Sequence, residues 1–246
     1  MKSILNISAY RFVNLSDTAA WRERIHGQAQ AQGLKGTVLL ANEGINLFVA
    51  GPQAAVRDFS DWLVAQSPFA GMEFKVSWSD TIPFAKLLVK VKPEIIRMNH
   101  PTIQPQQRRA PAIDAATLAR WLDAGVDDAG RPVAMLDTRN AFEVDRGRFK
   151  GAHDWRIAKF SDFPQALTAH RDALAGKTVV SYCTGGIRCE KAALLMIDAG
   201  IENVHQLDGG ILKYFEATGG KHFEGNCFVF DHREVLNDIL APVAPP

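Results

Sequence analysis

A chain of 246 residues, 47% of them apolar, is long enough to close one or two hydrophobic cores without covalent staples. Its 28 Lys+Arg against 27 Asp+Glu leave a formal charge of +1, which excludes a disordered polyelectrolyte and a uniformly basic nucleic-acid clamp, so a polyanion would have to meet a local patch. Three cysteines are too few for a disulfide scaffold, no run approaches the roughly 18 apolar residues of a membrane helix, and Met1-Lys2-Ser3-Ile4 shows no secretory pattern, so a cytoplasmic protein is expected.

Residues 4–10 read as a strand. Ser16-Asp17 can cap a helix to about Gln32, with Trp21, Ile25 and Ala29 on one face and Arg22, Glu23 and Gln30 outside. Residues 35–41 and 45–50 are β-rich runs punctuated by Asn42-Glu43-Gly44. Pro52 suits a first helical turn, and Val56, Phe59 and Leu63 form an apolar stripe behind it. Residues 73–78 and 86–92 are further strand candidates. The order β-α-β-β-α-β over residues 1–97 is that of a ferredoxin-like (acylphosphatase-like) α+β domain, in which two helices cover one face of an antiparallel sheet.

In residues 86–92 the strand period of two puts Lys86, Lys90 and Lys92 on one face and Leu87, Val89 and Val91 on the other. Such a face is either simply solvated or a set of phosphate contacts, helped by Arg97, Arg108 and Arg109. Residues 1–100 carry 11 basic and 8 acidic groups and residues 101–246 carry 17 and 19, so the first block is the mildly basic one. Residues 98–112, polar and broken by Pro101, Pro105 and Pro111, read as a linker.

Residues 113–225 alternate differently. The apolar run 133–136, a helix over 162–175, the run 178–182, apolar helical spacing over 189–199, the run 204–207 and a helix opening at Gly209-Gly210 imply an α/β domain with a parallel sheet flanked by helices. Sites in such sheets lie at the carboxyl ends of the strands. Residues 226–246 are expected as a C-terminal tail packing on the body.

One segment carries chemistry: Tyr182-Cys183-Thr184-Gly185-Gly186-Ile187-Arg188-Cys189-Glu190-Lys191-Ala192. A strand ends in a cysteine, two glycines let the backbone turn tightly, and an arginine opens a helix. The amides of Thr184, Gly185, Gly186, Ile187 and Arg188, the helix dipole and the Arg188 charge would lower the Cys183 thiol below its free value of about 8.5. Cys183 is thus the candidate nucleophile. Cys189 is open to two readings, a packed first-turn residue or a disulfide partner of Cys183, and the cysteine spacing fits no zinc site, so no metal is expected. Arg139, beside the same crevice, either touches substrate or pairs with Glu143. Phe84, Trp155 and Phe160 could stack on a base or simply pack.

Phosphatase loops place their arginine six positions after the nucleophile; here Arg188 stands five after Cys183. That spacing, with Asp137-Thr138-Arg139, Glu143, Gly147-Arg148-Phe149-Lys150-Gly151-Ala152 and Leu207-Asp208-Gly209-Gly210-Ile211, resembles the rhodanese superfamily, whose cysteine carries a persulfide. The longer cysteine string, together with Glu43-Gly44-Ile45-Asn46, Asp137-Thr138-Arg139-Asn140 and Asn226-Cys227-Phe228-Val229-Phe230-Asp231-His232-Arg233, resembles a bacterial family joining a ferredoxin-like domain to a rhodanese domain: the hydroxylases of wobble uridine in tRNA. Many relatives continue into a cysteine-rich segment, whereas this sequence stops at Pro246. The resemblance implies oxygen-dependent 5-hydroxylation of uridine 34, tRNA bound through its anticodon loop, molecular oxygen as co-substrate and a role for Glu43 and Asn46 in fixing a loop that faces the cysteine. The residues themselves show no flavin, nicotinamide, haem or iron fingerprint, and no obligate protein partner is evident. The competing reading is a sulfurtransferase carrying a persulfide on Cys183. A catalytically silent interaction module would not need the nucleophile, glycines and arginine together.

Overall fold

The computed structural model describes residues 3–243; the chain start at Met1-Lys2 and the last residues, 244–246, lie outside the described residues. The chain divides into one unit of residues 1–97 with 230–233 and another of residues 98–229 with 234–246.

In the first unit, β1 (Ile4–Phe12) leads into α1 (Thr18–Ala31), which Asp17 caps by accepting the Ala20 N–H at 3.1 Å. Then come β2 (Lys35–Ala41), β3 (Gly44–Pro52), α2 (Gln53–Val64), β4 (Lys75–Ser79) and β5 (Leu87–Val91). The strands lie in the order β4-β1-β3-β2-β5. The first four positions are the ferredoxin-like arrangement, antiparallel throughout, and β5 adds a fifth strand parallel to β2. Alternation sends Leu5, Ile7, Val38, Leu40, Leu47, Val49 and Val89 into one core, where Ile25, Ala29, Val56, Phe59 and Leu63 of the two helices meet them. Each of these buried Val, Leu, Ile and Phe side chains stabilises the unit by about 1.5–3 kcal/mol.

The second unit holds β6 (Ala112–Ile113), α3 (Ala115–Ala124), β7 (Val133–Asp137), the short α4 (Ala141–Val144), β8 (Gly147–Phe149), β9 (His153–Asp154) and α5 (Phe163–His170). It continues with β10 (Thr178–Tyr182), α6 (Ile187–Asp198), β11 (Val204–Leu207), α7 (Gly210–Thr218), β12 (Phe223–Gly225), β13 (Cys227–Phe228) and β14 (Val235–Leu236). Strands β6-β11-β10-β7-β9 form one sheet in which every pairing is parallel. Helices flank it, α3 packed with α7 and α5 with α6. β10 sits centrally and all five of its residues are buried, as an unbroken β-rich run requires.

Three features depart from the sequence reading. Residues 98–111 are strapped to the second unit instead of bridging freely: Met98, Ile103 and Ala110 are buried, and Pro111 accepts the Gln206 N–H at 2.9 Å. The helix expected over 162–175 stops at His170 and tightens into a 3₁₀ turn at Arg171–Leu174. The tail does not pack as one piece: β13 pairs with β14 in the second unit, while Phe230–Arg233 belongs to the first.

Candidate active site

β10 ends at Tyr182 and α6 begins at Ile187, leaving Cys183, Thr184, Gly185 and Gly186 to make the turn. Gly186 caps the helix at φ 98°, a conformation that side chains resist, and so aims its N–H at Cys183 Sγ, 3.1 Å away. The loop is clamped from behind by the start of α7. Ile211 N–H donates to the Cys183 carbonyl at 3.0 Å and Leu212 N–H to the Thr184 carbonyl at 3.1 Å. Gly210, at φ 66°, passes so close that a Cβ would stand 2.4 Å from the Cys183 carbonyl oxygen. The second glycine of the Gly209-Gly210 pair is therefore a packing necessity of the cysteine loop as well as a helix start.

Burial pushes the Cys183 thiol up, but the S–H of Cys189, the charge of Arg188 and the backbone N–H groups of Arg188 and Gly186 outweigh it and bring it down to about 5. These contacts favour the thiolate over the thiol at Cys183. Burial works against the charge on Arg188 as well, yet Glu143 and the thiolate hold its affinity for the proton above the ordinary arginine value. The guanidinium grips Glu143 in a fork, Nη1 to Oε2 at 2.6 Å and Nη2 to Oε1 at 2.8 Å. Glu143 Oε2 in turn accepts the Asn140 N–H at 3.1 Å, so the first turn of α4 positions the carboxylate that positions the arginine. Cys227, also buried, is pushed up to about 12 chiefly by desolvation and is inert as a nucleophile.

The other expected residues fall elsewhere. Arg139 is fully buried and binds Asp137 through Nε and Nη2, at 2.9 and 2.6 Å, and the Gly147 carbonyl at 2.6 Å. Its guanidinium is taken up by Asp137, two residues earlier, while the Glu143 carboxylate goes to Arg188. Arg108 pairs with Asp198, and Arg109 with Glu190 at 3.1 Å and Asp208 at 3.0 Å. These pairs fasten the 98–111 strap to α6 and to the end of β11. Lys86, Lys90 and Lys92 are exposed, and β5 keeps Val89 in the core opposite them, although Val91 at its end is exposed too. Glu43 Oε1 accepts the Ile95 N–H at 2.7 Å while Asn46 Nδ2 donates to the Ile95 carbonyl at 3.2 Å, so this pair holds the chain that follows β5. Phe160 is buried on Phe163, and Trp155 packs between Phe163 and His170, so both serve the core.

Two features escaped the sequence reading. The first is the Glu143–Arg188 fork, whose partners lie 45 positions apart. The second is Phe142, 46% exposed, set edge-to-face on Phe228 with ring centroids 5.1 Å apart. The Phe228 carbonyl accepts from Thr184 Oγ1 at 3.4 Å, which ties this aromatic pair to the cysteine loop. Position alone could have flagged Phe142, since it directly precedes Glu143.

Comparison with known proteins supplies the remaining context. Residues 4–95 match the UPF0176 acylphosphatase like domain and residues 116–217 the rhodanese-like domain. Three proteins named tRNA uridine(34) hydroxylase are similar over nearly the whole chain. That of Bordetella petrii is 63% identical over 242 residues, 98% of this chain and 96% of its own. That of Delftia acidovorans is 61% identical, covering 98% and 92%, and that of Bordetella pertussis 60% identical, covering 99% and 100%. With both domains matched in order and relatives this similar across them, the chain belongs to the tRNA uridine(34) hydroxylase family.

Proposed function

We propose that the protein hydroxylates C5 of uridine 34 in the anticodon loop of tRNA, with molecular oxygen as co-substrate. The observation that carries this reading is the identity of 57–63% over nearly the whole chain to proteins named tRNA uridine(34) hydroxylase. The site supplies a fitting chemistry. Cys183, whose surroundings favour the thiolate, adds to C6 of the uracil and makes C5 electron-rich enough to take up oxygen. The amides of residues 184–188 and the Arg188 charge steady the negative charge that moves between sulfur and base. Cys183 is fully buried and Gly185 is the half-buried tip of its loop, so the base enters over Gly185. Phe142, exposed at that loop, is the stacking surface for a base turned out of the anticodon.

The test is nucleoside mass analysis of unmodified tRNA incubated with the protein under isotopically heavy oxygen gas. Heavy label in 5-hydroxyuridine, lost in Cys183→Ser, is the expected result. A thiolated uridine without label would replace the reading with sulfur transfer through a Cys183 persulfide, which the same amide cradle would hold.

A further inference from the structure

We propose that Arg146, Arg148 and Lys150 form a phosphate-binding ridge beside the cysteine loop, along which the backbone of the anticodon loop runs while uridine 34 turns toward Cys183. This inference rests on the tRNA hydroxylase reading above and names the surface on which that substrate lies. A formal charge of +1 gives the chain no general attraction for a polyanion. Binding must come from cations that are clustered and not already spent on carboxylates.

In the second unit most arginines are spent in that way. Arg108, Arg120, Arg131, Arg139 and Arg156 each pair with an aspartate, and Arg188 pairs with Glu143. Arg146, Arg148 and Lys150 differ: among the described residues, no carboxylate stands within ion-pair distance of them. Asp145, beside them, is gripped by Arg156 at 2.5 Å. Glu224, across the β12–β8 ladder from Arg148, is exposed and makes no ion pair with it. The three cations are exposed and alternate with the buried Gly147 and Phe149, so the strand period of two sets them on the outer side of β8. Each stands about 7 Å along the chain from the next. That interval is close to the one between neighbouring phosphates of an extended single strand. Three such cations in a row repel one another until an anion lies across them.

The ridge is braced to the site along its length. Arg146 N–H donates to the carbonyl of Glu143, the residue whose carboxylate holds Arg188, at 3.2 Å, and the Arg146 carbonyl accepts the Asn226 N–H at 2.8 Å. Arg139 Nη2 holds the Gly147 carbonyl at 2.6 Å, which makes this fully buried arginine a positioning residue for the ridge. Phe149 N–H donates to the Tyr182 hydroxyl at 3.3 Å, and the two rings meet edge-to-face with centroids 4.8 Å apart. Tyr182 directly precedes Cys183. Phe142, 46% exposed, lies in α4 just before the ridge begins. A base stacked on Phe142 and a backbone carried along residues 146–150 therefore share one rigid support, and little protein order has to be gained on binding.

The experiment measures the affinity of the full-length protein for an unmodified anticodon stem-loop carrying uridine 34, from about 50 to 200 mM salt. Arg146→Gln, Arg148→Gln and Lys150→Gln should each lower the slope of log affinity against log salt by about 0.7, and the triple variant by about 2. Arg148→Lys keeps the charge and should keep the slope, which separates lost charge from lost fold. Glu224→Gln removes the carboxylate across the ladder and should tighten binding. Arg171→Gln is the control: Arg171 is an exposed cation on the turn leading to the amino end of β10, away from the site, and its loss should leave the slope as in the wild type. A wild-type slope in the triple variant, or an equal loss in Arg171→Gln, overturns the ridge and leaves the hydroxylase reading standing. A wild-type protein that does not bind the stem-loop overturns the ridge too. The hydroxylase reading falls separately, if tRNA incubated with the protein gains no 5-hydroxyuridine.

Discussion

The reactivity of Cys183 comes from neighbours that are themselves buried, so each can be removed and its share read. The folded thiol is held below its ordinary value by Cys189, Arg188 and the loop N–H groups, which fixes the sign of the pH dependence. Ionisation stabilises the fold fully above the unfolded thiol range of about 8.5, and that contribution is lost progressively as pH falls toward the folded value. Thiolate ultraviolet absorbance, measured as wild type minus Cys183→Ser, should therefore appear with a midpoint near 5. A midpoint in the ordinary thiol range would mean the cradle does not act on the sulfur. Arg188→Ala removes a charge that lowers the thiol, and the same titration should move upward. Glu143→Gln removes the charged partner of a buried guanidinium; such losses cost about 3–5 kcal/mol, which urea unfolding would report as a lower midpoint. An unchanged midpoint would show that Arg188 finds another anion.

The start of α7 decides how the cysteine loop is held, and its two glycines should respond unequally. Both have positive φ, so each alanine substitution carries backbone strain of about 1–2 kcal/mol. At Gly209 the new Cβ would stand 2.5 Å from Lys213 Cβ and Cδ within α7 itself, whereas at Gly210 it meets the carbonyls of Cys183 and Thr184 and the Gly186 N–H of the cysteine loop. Gly210→Ala should therefore lose far more hydroxylation than Gly209→Ala at matched folded fractions; equal losses would separate α7 from the loop. On β5, Lys86, Lys90 and Lys92 are candidates for phosphate contact. Neutralising each in turn should reduce the slope of log tRNA affinity against log salt by roughly 0.7 to 0.9. Arg108 and Arg109 already hold carboxylates, so their loss should first loosen the strap of residues 98–111. Elements with a strong period were readable in advance: the Val56, Phe59, Leu63 stripe and the apolar β10 are as the sequence implies. The end of α5 was not, because Leu174 keeps helical spacing from Leu167 and is buried either way, so periodicity does not register the tighter turn. α3 went unread although Asp114 caps it at Thr117 N–H, 2.7 Å, and Leu118 and Trp121 are buried. Its single short stripe resembles the connection before it. Among site residues, the loop around Cys183 was visible because its contacts are local. The ion pairs were not, since Arg188 meets Glu143 and Arg109 meets Glu190, 81 positions away, only once the sheet has formed.

Across the molecule, the short tail segment does what no local pattern foretells. Arg233 grips Asp231 through Nε and Nη2 at 2.8 and 2.6 Å and reaches Ser77 Oγ at 2.7 Å, while His232 N–H donates to the Pro83 carbonyl at 3.0 Å. Arg233→Ala leaves Asp231 buried with its partner gone, so the first unit should melt at a lower temperature. An unchanged melting curve would show that the clasp is decorative. The flanking residues belong to the second unit, so the chain passes between the units at 97/98, at 229/230 and again at 233/234. A gene cut after codon 97 would not release two finished parts. Its first product would lack a piece of itself, encoded far downstream, and its second would carry that piece with nothing to clasp. The shortened product should regain its melting temperature when a peptide of residues 226–243 is added in trans. Recombination at the obvious boundary would thus separate the first unit from a piece of itself.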